Sequence, residues 1–380
     1  MVDPLRMANI DRTVLTSMVR RARRSTAAEV LDWSQTQIKE GMSGGEVFRF
    51  SGQGQEHGVV FPWSLIHKII RAPANPKDPA DLAWKREALA YQAGLLDNLP
   101  GKLRAPCCFE VVEPSPAEVG LWQEDVVDGL EEWPLSRYGL AARHLGEFNG
   151  AYLTGRPLPD QPWLHRGWLR SSASRGLRGL QRVLVERHHP LVSRVNPPDT
   201  ISRLEQLAAD HLVLLDAIFA RLPLTFCHLD SNRRNLFARY AADGQEETVA
   251  IDWGEAGLDP VGIDLTCLVH SSLIWRFRGK LDQATELDKV AFEGYLQGLD
   301  AAGWRQDPQL VRFAFTAITA IHYAVRGNHF QLYYLLDESR HGDLEQLFGC
   351  SVAEICDHWA TLQRFYLDLT EEARTLMKGN

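Results

Sequence analysis

Cysteine is scarce, with six in 380 residues. Cys107, Cys108, Cys227, Cys267, Cys350 and Cys356 show neither the density of a disulfide scaffold nor the spacing of a zinc site. No run of about 18 apolar residues is present, so the sequence predicts no membrane-spanning helix. Positive charge is not in excess: the formal net charge is −8, against the basic stripe of a general nucleic-acid binder. The first fifteen residues lack a basic segment leading into an apolar core, so no signal peptide is expected. The expectation is a cytoplasmic protein with reduced thiols and no nucleic-acid or membrane partner; its oligomeric state is left open. There is no internal repeat and no low-complexity segment. Apolar content of 45% and charged content of 24% are those of an ordinary globular chain. Its length suits two lobes sharing a cleft, each with its own core.

What is present is concentrated in residues 226–254, FCHLDSNRRNLFARYAADGQEETVAIDWG. Two short apolar segments each end in acidic or amide side chains. The first gives His228, Asp230 and Asn235; the second, Val249-Ala250-Ile251, ends in Asp252-Trp253-Gly254. Five residues separate Asp230 from Asn235, and a second aspartate follows a hairpin. This is the spacing of a phosphoryl-transfer site, in which Asp230 orients a hydroxyl while Asn235 and Asp252 hold magnesium. His228 reads as a brace for the loop.

Upstream, residues 10–30 read as a helix, with Ile10, Val14, Met18 and Ala22 on one stripe and Arg20, Arg21, Arg23 and Arg24 largely away from it, either a solvated face or a patch touching a membrane or nucleic acid. Residues 33–70 read as three strands broken by GMSGG and by the polar segment SGQGQEHG. Gly41, Ser43, Gly44 and Gly45 form either a plain hairpin turn or a loop whose backbone N–H groups meet phosphate oxygens. Lys68 shares a strand face with Ile66 and Ile70, where its charge needs a partner. Residues 78–96 read as a helix capped by Asp78 and Pro79, with Glu87 among the small residues Ala83, Ala90 and Gly94. A Lys68–Glu87 ion pair follows, leaving the ammonium to contact the α- and β-phosphates. The alternative is a lysine at a strand edge and a glutamate paired within its helix.

Residues 106–126 form a hairpin running into EDVVDG. Helices are expected at 135–153 and 201–221, with an arginine-rich insertion at 156–200 that is a lid, part of an acceptor site or a solvated excursion. Beyond Asp264, helices are expected with breaks at Gly279, Gly303, Gly327 and Gly342. His322, Tyr323, His329 and Tyr333 line an acceptor pocket or belong to core.

HLDSNRRN followed by IDWGEAGLDPVGIDL resembles the catalytic segment of the aminoglycoside phosphotransferase family, relatives of choline and protein kinases. LGEFNGAYL at 145–153 resembles a segment recurring at that place in the family. The resemblance implies an α+β, two-lobed protein kinase-like fold: a small antiparallel-sheet lobe with one key helix over residues 1–125, and a larger, mostly helical lobe over 126–380. It implies ATP- and Mg2+-dependent phosphorylation of a hydroxyl on a small-molecule acceptor. In that arrangement the Ser43–Gly44 loop covers the ATP phosphates, the backbone of Glu124 through Val126 meets adenine, and Asp264 holds the catalytic loop. This chain has Leu229 where many relatives carry glycine. It has Asn232 where protein kinases carry lysine, so Arg233 or Arg234 is expected at the γ-phosphate. A nucleotide-binding scaffold without phosphotransfer and a nucleotidyl transferase are the alternatives at this site. An aminoglycoside acceptor would need carboxylates to converge, and Asp259, Glu286, Asp337, Glu338 and Asp343 are available.

Overall fold

The computed structural model describes residues 10–40, 45–74, 82–130, 132–241, 243–275 and 283–379. Helix α1 (Arg12–Arg23) leads into strands β1 (Glu29–Val30), β2 (Ser34–Glu40), β3 (Glu46–Glu56) and β4 (Val59–Arg71). Helix α2 (Arg86–Gln92), the short β5 (Leu103–Arg104), β6 (Cys108–Ser115) and β7 (Glu118–Glu124) follow. The first lobe is an antiparallel sheet in the order β1–β3–β4–β7–β6, with β2 also on β3. On its outer face Leu15, Met18 and Val19 of α1 pack against Phe48, Phe50, Trp63, Leu65 and Trp122. The stripe is thus turned from the expected one, and Ala22 is exposed. The arginines of α1 fasten it down: Arg20 donates to the Ala28 carbonyl, Arg21 pairs with Glu110 and Arg23 with Glu56.

Two local expectations fail here for physical reasons. SGQGQE is not a loop but the second half of β3, and the turn is only His57-Gly58, both at positive φ (49° and 83°). That is the geometry of a tight two-residue hairpin. The glycines that suggested a loop permit close approach instead: a Cβ on Gly52 would stand 2.2 Å from the Asp32 carbonyl oxygen. The helix expected over 78–96 is shorter, a 3-10 turn at Ala83–Lys85 and then α2. It ends at Gln92 because Gly94 turns to φ 68°; Asp78 and Pro79 lie outside the described residues.

The second lobe begins with α3 (Leu135–Leu153), then β8 (His165–Arg166), α4 (Trp168–Val185), α5 (Pro190–Val195) and α6 (Pro198–Arg221). Strands β9 (Leu224–Cys227), β10 (Leu236–Tyr240), β11 (Glu246–Ala250) and β12 (Gly257–Pro260) carry the central stretch. Helices α7 (Ile263–Trp275), α8 (Ala284–Ala301), α9 (Pro308–Thr319), α10 (Val325–Leu335), α11 (His341–Phe348) and α12 (Val352–Lys378) complete it. Helices α3 and α8 cross so closely that a Cβ on Gly294 would stand 2.1 Å from the Gly139 carbonyl oxygen. The segment 156–200 is no solvated excursion. Leu169, Ala173, Leu180 and Val183 of α4 are buried in the main core, with the arginines spaced around the opposite face. Gly327 and Gly342 lie inside α10 and α11 and break nothing, while Gly279 lies outside the described residues. The irregularity between α9 and α10 is a π-turn at Ala320–Ala324. Among the described residues no helix is long and apolar enough to cross a membrane.

Candidate active site

The loop His228–Asn235 joins β9 to β10 at the rim of the second lobe. Its backbone is held from below by Asp264, near the start of α7. The two carboxylate oxygens of Asp264 accept from the backbone N–H groups of His228 (3.1 Å) and Leu229 (2.9 Å). Asn149, from the LGEFNGAYL segment, donates to Asp264 (3.1 Å) and to the Phe226 carbonyl (2.9 Å), and accepts from the Tyr295 hydroxyl (2.8 Å). Leu229 sits at φ 65°, a conformation costing about 1–2 kcal/mol for a side chain other than glycine. Its side chain is 2% exposed, and burial worth about 2 kcal/mol offsets that strain. His228 Nε2 lies 2.9 Å from the Ile251 carbonyl, and Nδ1 accepts from the Asp230 backbone N–H at 3.2 Å. The ring thus ties the loop to the following strand.

Both oxygens of Asp230 hold an amide. Asn232 Nδ2 donates to Oδ1 and Asn235 Nδ2 to Oδ2, each at 2.8 Å. With its NH2 group engaged, Asn235 offers its amide oxygen to a cation. Burial pushes the Asp230 carboxyl above its ordinary range, and the nearby negative charge of Asp252 adds to the effect. Asp252 follows β11 in a left-handed conformation, φ 63°, and Trp253 behind it is fully buried against His228 and Phe226.

From the first lobe, β4 presents Lys68 between two carboxylates. Its Nζ is 2.6 Å from Glu87 on α2 and 2.7 Å from Asp252. Burial works against the ammonium, but the charges of Glu87 and Asp252 outweigh it and hold its pKa above the usual lysine value. The Lys68 charge in turn holds Asp252 below the usual aspartate range. One lysine thus ties α2, the sheet and the second lobe together.

Other candidates fall elsewhere. Arg233, expected at the γ-phosphate, is turned away from the cleft. Its guanidinium pairs with Asp128 (2.6 Å), donates to the Leu130 and Leu236 carbonyls, and lies 4.0 Å from the centre of the Trp133 ring. Replacing it therefore unmakes a structural clamp. Arg233→Met should lower stability by about 3 kcal/mol, the cost of stripping one partner from a buried ion pair, and leave nucleotide affinity nearly unchanged. Chemical denaturation and calorimetric titration with Mg-ADP measure the two effects. Arg234 is exposed. The Glu124 backbone N–H, expected to face adenine, donates to the Cys107 carbonyl (2.9 Å), and its carboxylate pairs with Arg239 (3.0 Å). Val126 is half-buried just past the sheet, in a connector anchored at both ends. Asp125 binds Arg49 of the first lobe, while Asp128 accepts from the Ala238 N–H of the second. Ser43 and Gly44 lie outside the described residues.

Sequence reasoning missed Arg86. It is buried beside Glu87, donates to the carbonyls of Trp163 and Gly254, and so couples α2 to the turn after Asp252. An arginine next to the helix glutamate carries no spacing signal. Two of the carboxylates considered for a polycationic acceptor are engaged locally. Asp259 accepts from the backbone N–H groups of Trp168 and Leu169 at the start of α4, and Asp337 caps its own turn and pairs with Arg340.

Residues 126–306 match the model of the phosphotransferase enzyme family. None of the curated proteins matches the chain by sequence. Among solved structures, an aminoglycoside phosphotransferase from Alicyclobacillus acidocaldarius superposes with a TM-score of 0.56 at 16% identity, covering 92% of this chain and 93% of that one. A choline kinase from Cryptosporidium parvum gives 0.51 at 14% identity, with 96% of each chain covered. A spectinomycin phosphotransferase in complex with ADP and spectinomycin gives 0.50 at 14% identity, over 93% of this chain and 99% of that one. At these identities the structural likeness is one of fold. Residues 126–306 are thus similar to the phosphotransferase enzyme family, and the whole chain has the two-lobed kinase-like fold of the solved structures it superposes on.

Proposed function

We propose that the protein transfers the γ-phosphoryl group of ATP to a hydroxyl of a small molecule, with Mg2+ as the metal. The observation carrying this reading is the meeting of two half-sites: Lys68, paired with Glu87, lies 2.7 Å from Asp252, which follows the strand tied to the Asp230–Asn235 loop. Such transfer needs positioning and charge neutralisation more than covalent help. Asp230, held by two amides, orients the attacking hydroxyl and accepts its proton. Lys68 holds the α- and β-phosphates, with Glu87 fixing its direction. The Asn235 amide oxygen and the Asp252 carboxylate are hard oxygen donors suited to Mg2+, and the ammonium already resting on Asp252 marks a position that takes positive charge. When bound, the metal would neutralise charge on the phosphate oxygens. Val126 meets adenine in the connector. The ADP held by the spectinomycin phosphotransferase of like fold supports a nucleotide here.

Titration calorimetry tests the nucleotide and metal together. ADP should bind at least about tenfold more tightly with Mg2+ than with chelator, a difference of 1.4 kcal/mol or more, and Asp252→Asn should remove the difference. ADP binding that ignores the metal would count against the assignment. The pH profile gives a second check. The Asp230 carboxyl is raised, so its active, unprotonated form is lost on acidification at a pH above the ordinary aspartate value of about 3.9. The Asp252 carboxyl is lowered, chiefly by Lys68, and keeps its charge to below that value. On acidification kcat should therefore fall before Mg-nucleotide affinity does; the reverse order would exclude Asp230 as the titrating base.

A further inference from the structure

A cavity of about 120 Å3 opens between the far end of α7, the π-turn, α10 and α12. Ile274, Tyr323, Phe330, Trp359, Leu362 and Tyr366 form its apolar walls, and no carboxylate or basic side chain is among the described lining residues. An engineered cavity of roughly 150 Å3 holds benzene, so this volume suits one small ring.

Three features mark it as a built site. Gly327 lines it from within α10, where glycine costs about 1 kcal/mol relative to alanine. A Cβ there would meet nothing within 4 Å, so tight packing does not explain the glycine; its bare backbone opens the wall. Gln331 also lines the cavity and is 9% exposed, and its amide oxygen has no hydrogen-bond partner among the described residues. A buried acceptor left unmet is costly, and a ligand donor would relieve it. The π-turn at Ala320–Ala324, a feature frequent at functional sites, carries Tyr323 into the wall.

The cavity is joined to the catalytic loop. Helix α7 starts beside Asp264, and Cys267, Ser271 and Ile274 follow at the spacing of one helix face. Ser271 Oγ lies 3.2 Å from the Tyr323 hydroxyl and 3.9 Å from Cys267 Sγ. Ser231 of the loop that carries Asp230 donates to the Asp264 carbonyl (2.7 Å) in the first turn of α7, and Cys267 lies one turn further along the helix. From Cys267 to Ile274 the helix rises about 10 Å.

We infer that this cavity holds one end of the acceptor: a neutral, ring-sized apolar group bearing a single N–H or O–H donor directed at Gln331, with the reacting hydroxyl extending along α7 toward Asp230. The inference rests on the phosphotransferase reading and narrows its acceptor to a ring-bearing alcohol. Among the described lining residues a polycation finds no carboxylate, and a quaternary ammonium has no hydrogen to donate to Gln331.

The test uses the full chain loaded with Mg-ADP. Calorimetry should show indole binding at least tenfold more tightly than 1-methylindole, which lacks the donor. Gly327→Leu should weaken indole at least tenfold while Mg-ADP affinity is retained, and Gln331→Leu should erase the preference for indole over 1-methylindole. With γ-labelled ATP, indol-3-yl alkanols of increasing chain length should accept label, and Gly327→Leu should raise their KM at least tenfold. Indole that fails to bind, binds both variants as it binds the parent, or binds without any indolyl alkanol accepting label overturns the inference. So does label passing to choline or kanamycin but to no indolyl alkanol. Failure of Mg-ADP itself to bind would instead strike the phosphotransferase reading.

Discussion

Asp230→Asn is expected to lower kcat by about 10²–10⁴-fold, the usual contribution of a positioned general base. The substitution keeps the size of the side chain and leaves the Asn235 amide near an oxygen, so the loop should stay in place. Asp264 grips that loop through the His228 and Leu229 N–H groups, independently of Asp230. Mg-ADP affinity should thus change little, and single-turnover measurement with saturating nucleotide isolates the lost step. Asn232 qualifies the outcome. It donates to the Asp230 oxygen opposite the one held by Asn235, so Asn232→Ala should let the carboxylate rotate and lower kcat less than loss of the carboxylate itself.

Lys68→Met is expected to damage both stability and nucleotide binding. The Glu87 side chain is 2% exposed, and removing its partner leaves a buried charge uncompensated, at a cost of about 3–5 kcal/mol. Denaturant titration measures that loss. The double variant Lys68→Met/Glu87→Met should regain most of the stability, because two apolar side chains of similar size can replace a buried pair without penalty. It should not regain nucleotide affinity, since the cation facing the phosphates is gone. A double variant that binds Mg-ADP as the parent does would mean that Lys68 only holds α2 against the sheet.

Much of this was legible in the residues. Lys68 stood between Ile66 and Ile70 on one face of a strand and Glu87 among small residues on a helix, and each needed the other to be buried. The Asp230–Asn235 interval and the aspartate after the next strand carried the second half-site. What escaped depended on tertiary approach. Gly52 and Gly54 looked like loop because their role, admitting the Asp32 carbonyl and the Phe61 ring, is invisible along the chain. The arginines of the 156–200 segment suggested solvent, yet the residues between them are packed in the core. Arg233 is charged and next to the catalytic loop, but Trp133 and Asp128, a hundred residues earlier, offer it a better place. The cavity near Tyr323 gave only an aromatic pattern, which fits core and pocket equally; the missing side chain at Gly327 and the unmet oxygen of Gln331 tell them apart.

γ-Phosphoryl transfer to a small-molecule hydroxyl is read most directly from the fate of label from ATP. The protein, Mg2+ and a pool of small-molecule alcohols should yield labelled product from γ-labelled ATP and none from α-labelled ATP, with Asp230→Asn suppressing it. Label arriving from the α position would make the protein a nucleotidyl transferase. No labelled product from either, with Mg-ATP bound, would leave a nucleotide-binding scaffold and contradict phosphoryl transfer.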